Sequence, residues 1–203
     1  MSKCPMCGRD DMNIFRDEAC LSCRIGEYLG ALNALGRRAR ILPESDPGMP
    51  HHSFVQKLGS VREACIQPEE GGIDFIELWR TDTRFVTWFT IAYLIKFNEK
   101  YDKRDLNASL GEPSSAFHER APLKEYQWKG GQLARILSSD ATLKKALMPN
   151  QGQIEVRVEP KSDIVAITEV VGDSYPEPEL EHIEAIERIV AHIRELPRKP
   201  KDG

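Results

Sequence analysis

The sequence predicts an α+β protein: a small N-terminal module with four cysteines, then a mixed helical domain that ends in a β-hairpin and an amphipathic helix. The first 23 of the 203 residues hold four of the five cysteines. Residues 153–171 alternate apolar and polar side chains in two arms around a turn at residues 159–163, which is typical of a hairpin. From Leu180 to Leu196 apolar side chains recur at helical spacing, which predicts a helix with one buried face.

A segment rich in proline divides the chain. Residues 43–52 contain three prolines and a glycine, and we expect them to link a first unit, residues 1–42, to an α+β domain, residues 53–203. The net charge of −4 lacks the basic excess of a dedicated nucleic-acid binder. The N-terminus has no apolar signal region and the longest apolar run is too short to span a bilayer, so the expected location is the cytoplasm.

The first predicted helix begins beside the last of the four cysteines. From Arg24 onward, Ile25, Tyr28 and Leu32 recur at helical spacing, and Gly36 is placed to end the helix.

The main domain is predicted to be largely helical at its start. Residues 53–66 are expected to form a short helix, and residues 82–101 a longer one that Asp82 caps. Between them, IDFIELW alternates well enough to predict a strand over residues 73–79. The Thr, Val and aromatic content of residues 82–101 also fits a second strand, RFVTWFTI, paired with IDFIELW through a turn at Thr81–Thr83, so that alternative stays open. Residues 102–129 are predicted to be irregular, and residues 130–149 to form two short helices, the second capped by Ser139 or Asp140.

The four N-terminal cysteines have the spacing of a metal site. Cys4, Cys7, Cys20 and Cys23 follow the pattern C-x2-C-x12-C-x2-C, in which each tight turn directs two thiolates at one ion. Four cysteine ligands leave no open position for water, which predicts a structural zinc rather than a catalytic one. An iron–sulfur cluster on the same ligands is the alternative. Cys65, outside the pattern, is expected to be a small buried apolar residue.

The CPMC and CLSC turns resemble the knuckles of the zinc-ribbon and treble-clef families. The resemblance covers about two dozen residues, namely the cysteines and the loop between them. It implies a small fold built around zinc and carries no implication for the rest of the chain.

Two groups of basic residues are candidates for contact with nucleic acid. Around the cysteines and after the first helix lie six arginines: Arg9, Arg16, Arg24, Arg37, Arg38 and Arg40. In the segment FHERAPLKEYQWKGG, basic and aromatic residues are mixed, with Arg120, Lys124, Trp128 and Lys129 as the candidates. The alternatives are ordinary solvated arginines at a helix end in the first group, and core aromatics with charged neighbours in the second.

No catalytic motif is present in the sequence. HExxH, GxSxG, GxGxxG and GxxxxGK[ST] are all absent. His51 and His52 are adjacent and so are not expected to share one metal ion, and His182 and His192 are expected to be solvated. A non-catalytic protein without a small-molecule substrate is therefore predicted.

Two functions are compatible with these patterns. The first is a subunit of a nucleic-acid-handling complex that contacts DNA or RNA together with other protein subunits. The second is a protein–protein adaptor or transcription accessory factor without direct nucleic-acid binding. The layout of CPMC…CLSC followed by about 170 residues resembles the zinc-finger-bearing Cas8-like subunits of type IV CRISPR effector complexes, which implies a role beside a guide RNA.

Overall fold

The computed structural model describes residues 2–3, 6, 10–11, 21–50, 60–84, 87–97, 103–110, 126–147, 153–158, 163–172 and 175–196. The strands in these residues are β1 Ser2–Lys3, β2 Asp10–Asp11, β3 Ala39–Ile41, β4 Ser60–Pro68, β5 Phe75–Asp82, β6 Thr87–Lys96, β7 Ala108–Leu110, β8 Trp128–Gly130, β9 Gln153–Val158 and β10 Ile164–Gly172. The helices are α1 Leu21–Ala34, α2 Lys103–Leu106, α3 Gln132–Ser139, α4 Ala141–Leu147 and α5 Leu180–Glu195.

An eight-stranded antiparallel sheet dominates the described residues. Its strand order is β3-β4-β5-β6-β10-β9-β7-β8, and β1 and β2 form a separate pair. Strands β3 to β6 follow one another in both sequence and space, while the β9–β10 hairpin joins them to β7 and β8. The predicted mixed helical domain is therefore wrong: the residues described after the linker are dominated by the sheet, with short helices packed on it.

Two predicted helices are strands instead. The helix predicted over residues 53–66 is a strand where the structure describes it, because residues 60–66 belong to β4. The segment expected as a helix over residues 82–101 contributes the end of β5 and all of β6. The strand-pair alternative for this segment is correct, since β5 and β6 pair in register from Phe75↔Leu94 to Asp82↔Thr87. Seven consecutive residues of β6 are buried because both faces of the sheet are covered at this point. Such a strand shows no alternation, so its apolar run is easily taken for a buried helix.

The other predicted helices and the predicted hairpin agree with the structure. The β9–β10 hairpin, the two short helices α3 and α4 and the amphipathic helix α5 are all confirmed. Helix α1 is also confirmed. Its last residue is Ala34, and Gly36, the residue expected to end it, follows with a φ of 77°. The Gly36 N–H donates to Asn33 O and the Arg37 N–H to Leu32 O, both at 3.0 Å, which satisfies the last carbonyls of the helix.

The sheet has a core on each face. Alternate residues of β5 and β6 point to one face, where the buried side chains of α1 and α5 cover them; this core includes Ile25, Tyr28, Leu32, Ile76, Leu78, Ile91, Tyr93, Ile95, Ile186 and Ile189. On the opposite face the segment after β3 contributes Leu42 and Met49 to a smaller core with Cys65, Phe75, Trp79, Ala92, Leu94 and Ala166. Among the described residues, no helix combines the length and the apolar content needed to cross a membrane.

Candidate metal centre and nucleic-acid interface

Helix α1 carries one of the four predicted zinc ligands. Cys23 is its third residue and is half-buried, whereas Cys4, Cys7 and Cys20 lie outside the described residues. Within the described part of the chain, no three His, Cys, Asp or Glu side chains lie close enough together to hold a metal ion. The four-cysteine site thus remains a prediction.

The position of Cys23 suits a metal-bound thiolate. The first turn of an α-helix has backbone N–H groups without carbonyl partners in the helix, and their partial positive charge stabilises an anion. A thiolate in that turn is favoured over one in the middle of the helix. With three further thiolates, Cys23 would complete a tetrahedral, closed zinc shell.

Helix α1 is fixed to the sheet by apolar contacts and by a buried ionic group. Ile25, Tyr28 and Leu32, spaced three and four residues apart, are all at most 8% exposed. Next to Cys23, the guanidinium of Arg24 lies 3.7 Å from Glu63 Oε1 on β4 and 5.6 Å from the centroid of the Phe89 ring. The start of the helix is therefore held against β4 and β6.

Glu63 is the centre of this ionic group. Its side chain is only 1% exposed, Arg80 Nη1 lies 3.1 Å from Oε1, and the Tyr175 hydroxyl donates to Oε2 at 3.1 Å. Burial raises the pKa of the Glu63 carboxyl, and the neighbouring Arg24 and Arg80 offset only part of this effect. Burial and the negative charge of Glu63 together hold the pKa of Tyr175 far above its usual value. The Glu63 carboxyl and the Tyr175 hydroxyl therefore serve as structural hydrogen-bond partners.

The first group of candidate arginines does not form one free basic face in the described residues. Arg24 is paired with Glu63, and Arg37 Nη2 lies 2.8 Å from Glu187 Oε2 on α5. Arg40, in β3, donates to the side chain of Gln67 at 2.8 and 3.1 Å, and Arg38 is exposed. Arg9 and Arg16 lie outside the described residues.

The second group divides between core and surface. Trp128 is 4% exposed, and its indole N–H donates to the Tyr126 hydroxyl at 3.0 Å, so the ring belongs to the core rather than to a stacking platform. Lys129, the next residue in β8, is exposed. Arg120 and Lys124 lie outside the described residues.

The prediction that His182 and His192 are solvated is wrong. Their side chains are 13% and 19% exposed, and each lies next to a carboxylate. His182 Nε2 is 2.9 Å from Glu169 Oε2 on β10. Burial would lower the pKa of His182, but the hydrogen bond and negative charge of Glu169 outweigh it and raise that pKa.

His192 belongs to a group centred on Asp140, the residue between α3 and α4. Asp140 Oδ1 accepts from the backbone N–H groups of Thr142 and Leu143, both at 3.0 Å, so Asp140 caps α4 as predicted. Its other oxygen lies 2.8 Å from His192 Nε2 and also accepts a hydrogen bond from Arg188 Nε. Burial would raise the pKa of Asp140, but these hydrogen bonds outweigh it and hold the pKa well below its usual range.

A buried carboxylate on the opposite face of the sheet was not among the predicted site residues. Glu77 is 0% exposed, and its two oxygens accept from Arg62 Nη1 and from the indole N–H of Trp79, both at 2.8 Å. The sequence signal is a single acidic residue inside the apolar run FIELW.

Cys65 is buried, as the sequence predicted. It is 2% exposed and pairs with Glu77 on the neighbouring strand β5. Burial and the negative charge of Glu77 raise the pKa of its thiol to about 12. The thiol is therefore protonated at neutral pH and is poorly suited to act as a nucleophile or a metal ligand.

Comparisons of the chain with protein-family models, with curated proteins and with solved structures give no match. Function is therefore inferred from the residues and their geometry alone.

Proposed function

We propose that this chain is a non-catalytic, zinc-containing subunit of a nucleic-acid-handling complex, in which helix α1 attaches a four-cysteine module to the sheet. The observation that carries the proposal is the position of Cys23. It lies in the first turn of a helix that is packed on the sheet, and its neighbour Arg24 is paired with the buried Glu63. In a zinc site that includes Cys23, one ligand has a fixed position relative to the sheet, because α1 is packed on the sheet.

The pairing of the buried carboxylates supports a binding role rather than a catalytic one. Glu63, Glu77 and Asp140 each accept hydrogen bonds or ion pairs from side chains of neighbouring elements. A general acid or base has to face a substrate and exchange a proton with it. These carboxylates instead hold elements of the fold together.

The nucleic-acid part of the proposal rests on charge. The chain is acidic as a whole, so contact with a phosphate backbone has to come from local basic surfaces or be shared with more basic subunits. Arg38 and Lys129 are exposed members of the predicted sets. DNA and RNA both present the phosphates that such side chains contact.

The proposal is tested by purifying the tagged chain from the cells that produce it, with and without nuclease treatment. We expect a defined set of proteins together with RNA or DNA, and the loss of some of these proteins after nuclease. Protein partners that withstand nuclease, with no nucleic acid in the preparation, would instead identify a protein–protein adaptor.

The zinc site has its own test, and the chain supplies a matched cysteine control. We expect about one zinc per purified wild-type chain and close to none in Cys23→Ser, because a tetrahedral site that loses one of four thiolates binds zinc far more weakly. Cys65→Ala should keep its zinc, since Cys65 is buried in the core of the opposite face. Elemental analysis of the three proteins measures this. Equal zinc content in wild type and Cys23→Ser would contradict the assignment, and iron in place of zinc would indicate a cluster.

A further inference from the structure

Three exposed basic side chains lie on the two short helices next to the last strands of the sheet. Arg135 is in α3, and Lys144 and Lys145 are in α4. All three are exposed. Lys129 is exposed as well, but it lies on the other face of the sheet, because its neighbour Trp128 in β8 faces the core that α3 covers. We call the three cations of the helices the α3–α4 basic surface.

The charges of this surface are not neutralised by carboxylates of the described residues. Arg24, Arg37 and Arg80 each pair with a glutamate, but none of the three cations of the basic surface makes such an ion pair within the described ranges. Asp140 is the sole acidic residue between positions 126 and 147. Because Arg188 and His192 already contact its carboxylate, Asp140 leaves the positive charge of the surface largely uncancelled.

The elements that carry these cations are firmly packed. Leu133, Leu137, Leu143 and Leu147 of the two helices are fully buried. At the start of α3, a Cβ on Gly130 or Gly131 would collide with the backbone of Asn107 or Arg104, so both positions require glycine. The cations therefore project from a fixed scaffold, which reduces the entropy lost when a ligand binds.

We propose that the α3–α4 basic surface binds the phosphodiester backbone of a nucleic acid, largely without regard to base sequence. Lysine and arginine on a rigid surface neutralise phosphates and release counterions, which gives affinity but carries no base information. The aromatic side chains between positions 126 and 147 are committed to the core: Trp128 is 4% exposed, and the hydroxyl of the half-buried Tyr126 contacts both Trp128 and Leu137 O. Base stacking is therefore not expected at this surface.

The inference rests on the proposed function and adds the contact surface to it. The test measures binding of the full-length, zinc-loaded chain to fluorescently labelled duplex DNA, single-stranded DNA and RNA, each in two unrelated sequences, across a salt series. The variant is Arg135→Gln with Lys144→Gln and Lys145→Gln, because glutamine has a similar helix propensity and no charge. The control removes the same charge from other elements, as Arg84→Gln with Lys96→Gln and Arg194→Gln.

We expect the basic-surface variant to bind at least about tenfold more weakly at moderate salt. The slope of its log affinity against log salt should fall by about 2 to 3, since each lost phosphate contact lowers the slope by about one. The control should bind like wild type, and the two sequences of each nucleic acid should bind alike. Unchanged binding of the variant, or an equal loss in the control, would overturn the surface while leaving the proposed function intact. Failure of wild type to bind any of the three nucleic acids would overturn the surface, whereas the proposed function is decided separately by the purification with and without nuclease. A basic-surface variant that binds nucleic acid like wild type but loses a protein in that purification would also overturn the surface, and would identify an acidic protein as its ligand.

Discussion

Glu77 shows how a single charged residue is accommodated inside the sheet. It is fully buried on β5, and it is tolerated because Arg62 and the Trp79 indole donate to its two oxygens. The Arg62 side chain is 26% exposed, so its charge is partly solvated and the net contribution of the pair to stability is modest. Removing one partner has a larger effect than the pair's own contribution, because the other groups lose their acceptor.

We therefore predict that Glu77→Ala lowers the free energy of unfolding by about 2–4 kcal/mol, because Arg62 and the Trp79 indole both lose the carboxylate that accepts from them. Urea denaturation measures the loss. The exposed Glu69→Ala is the control and should change stability by less than about 0.5 kcal/mol. The double variant Arg62→Met with Glu77→Leu should recover much of the loss. A Glu77→Ala protein as stable as Glu69→Ala would contradict this account.

At the scale of the element, sequence patterns predict the helices correctly where one face of a helix meets water. Helix α5 buries Ile183, Ile186 and Ile193 on one face and exposes Glu184 and Arg188 on the other, so its period is visible in the sequence. Strand β6 is buried on both faces, and its period disappears. Strand β4 was predicted as a helix for a different reason. Its pairing register shifts between Arg62 and Ala64, which interrupts the alternation that identifies a strand.

Helix α5 is joined to the sheet by a histidine–carboxylate pair, and this gives a prediction for pH. Glu169 raises the pKa of His182 above its unfolded value of about 6.5, with a smaller contribution from the charge of Glu179. The stabilisation is therefore complete below about pH 6.5 and is lost as the pH rises through the folded-state pKa.

We expect the free energy of unfolding of wild type to fall between about pH 6 and pH 9 by more than that of His182→Gln, which has no proton to lose. Glu169→Gln should show the same reduced dependence, because the neutral amide no longer stabilises the histidinium. Urea denaturation at both pH values measures the difference. An identical pH dependence in wild type and both variants would mean that the pair does not couple protonation to folding.

At the scale of the whole molecule, one part of the candidate site can be predicted from the sequence and the other cannot. The cysteine pattern is local, because metal ligands in short turns have fixed spacing, and it needs no knowledge of the sheet. The partners of the arginines are distant: Arg24 meets Glu63 across the α1–β4 contact, and Arg37 meets Glu187, 150 residues further along the chain. Only the packing of α1 and α5 on the sheet decides which arginines are paired and which stay exposed.

The effect of removing zinc can be predicted from the boundary between the cysteine segment and the packed core. The core begins at Ile25 among the described residues and is built from α1, the sheet and α5, so it does not depend on a metal. If zinc supplies the folding energy of roughly the first 20 residues, chelation should unfold that segment and leave the sheet intact. Trypsin should then cleave rapidly after Arg9 and Arg16. Arg24 should resist cleavage, because it lies in α1 with a side chain that is 16% exposed and paired with Glu63.

Mass spectrometry of timed digests, with and without chelator, distinguishes these sites. The control is the chelated protein supplied again with zinc, in which cleavage at the two early arginines should slow to the original rate. Equal rates of cleavage at Arg9 and Arg16 with and without chelator would show that zinc does not order the segment. Rapid cleavage at Arg24 on chelation would show instead that the metal also holds α1 on the sheet, in which case the apolar contacts of Ile25, Tyr28 and Leu32 do not suffice to fix the helix.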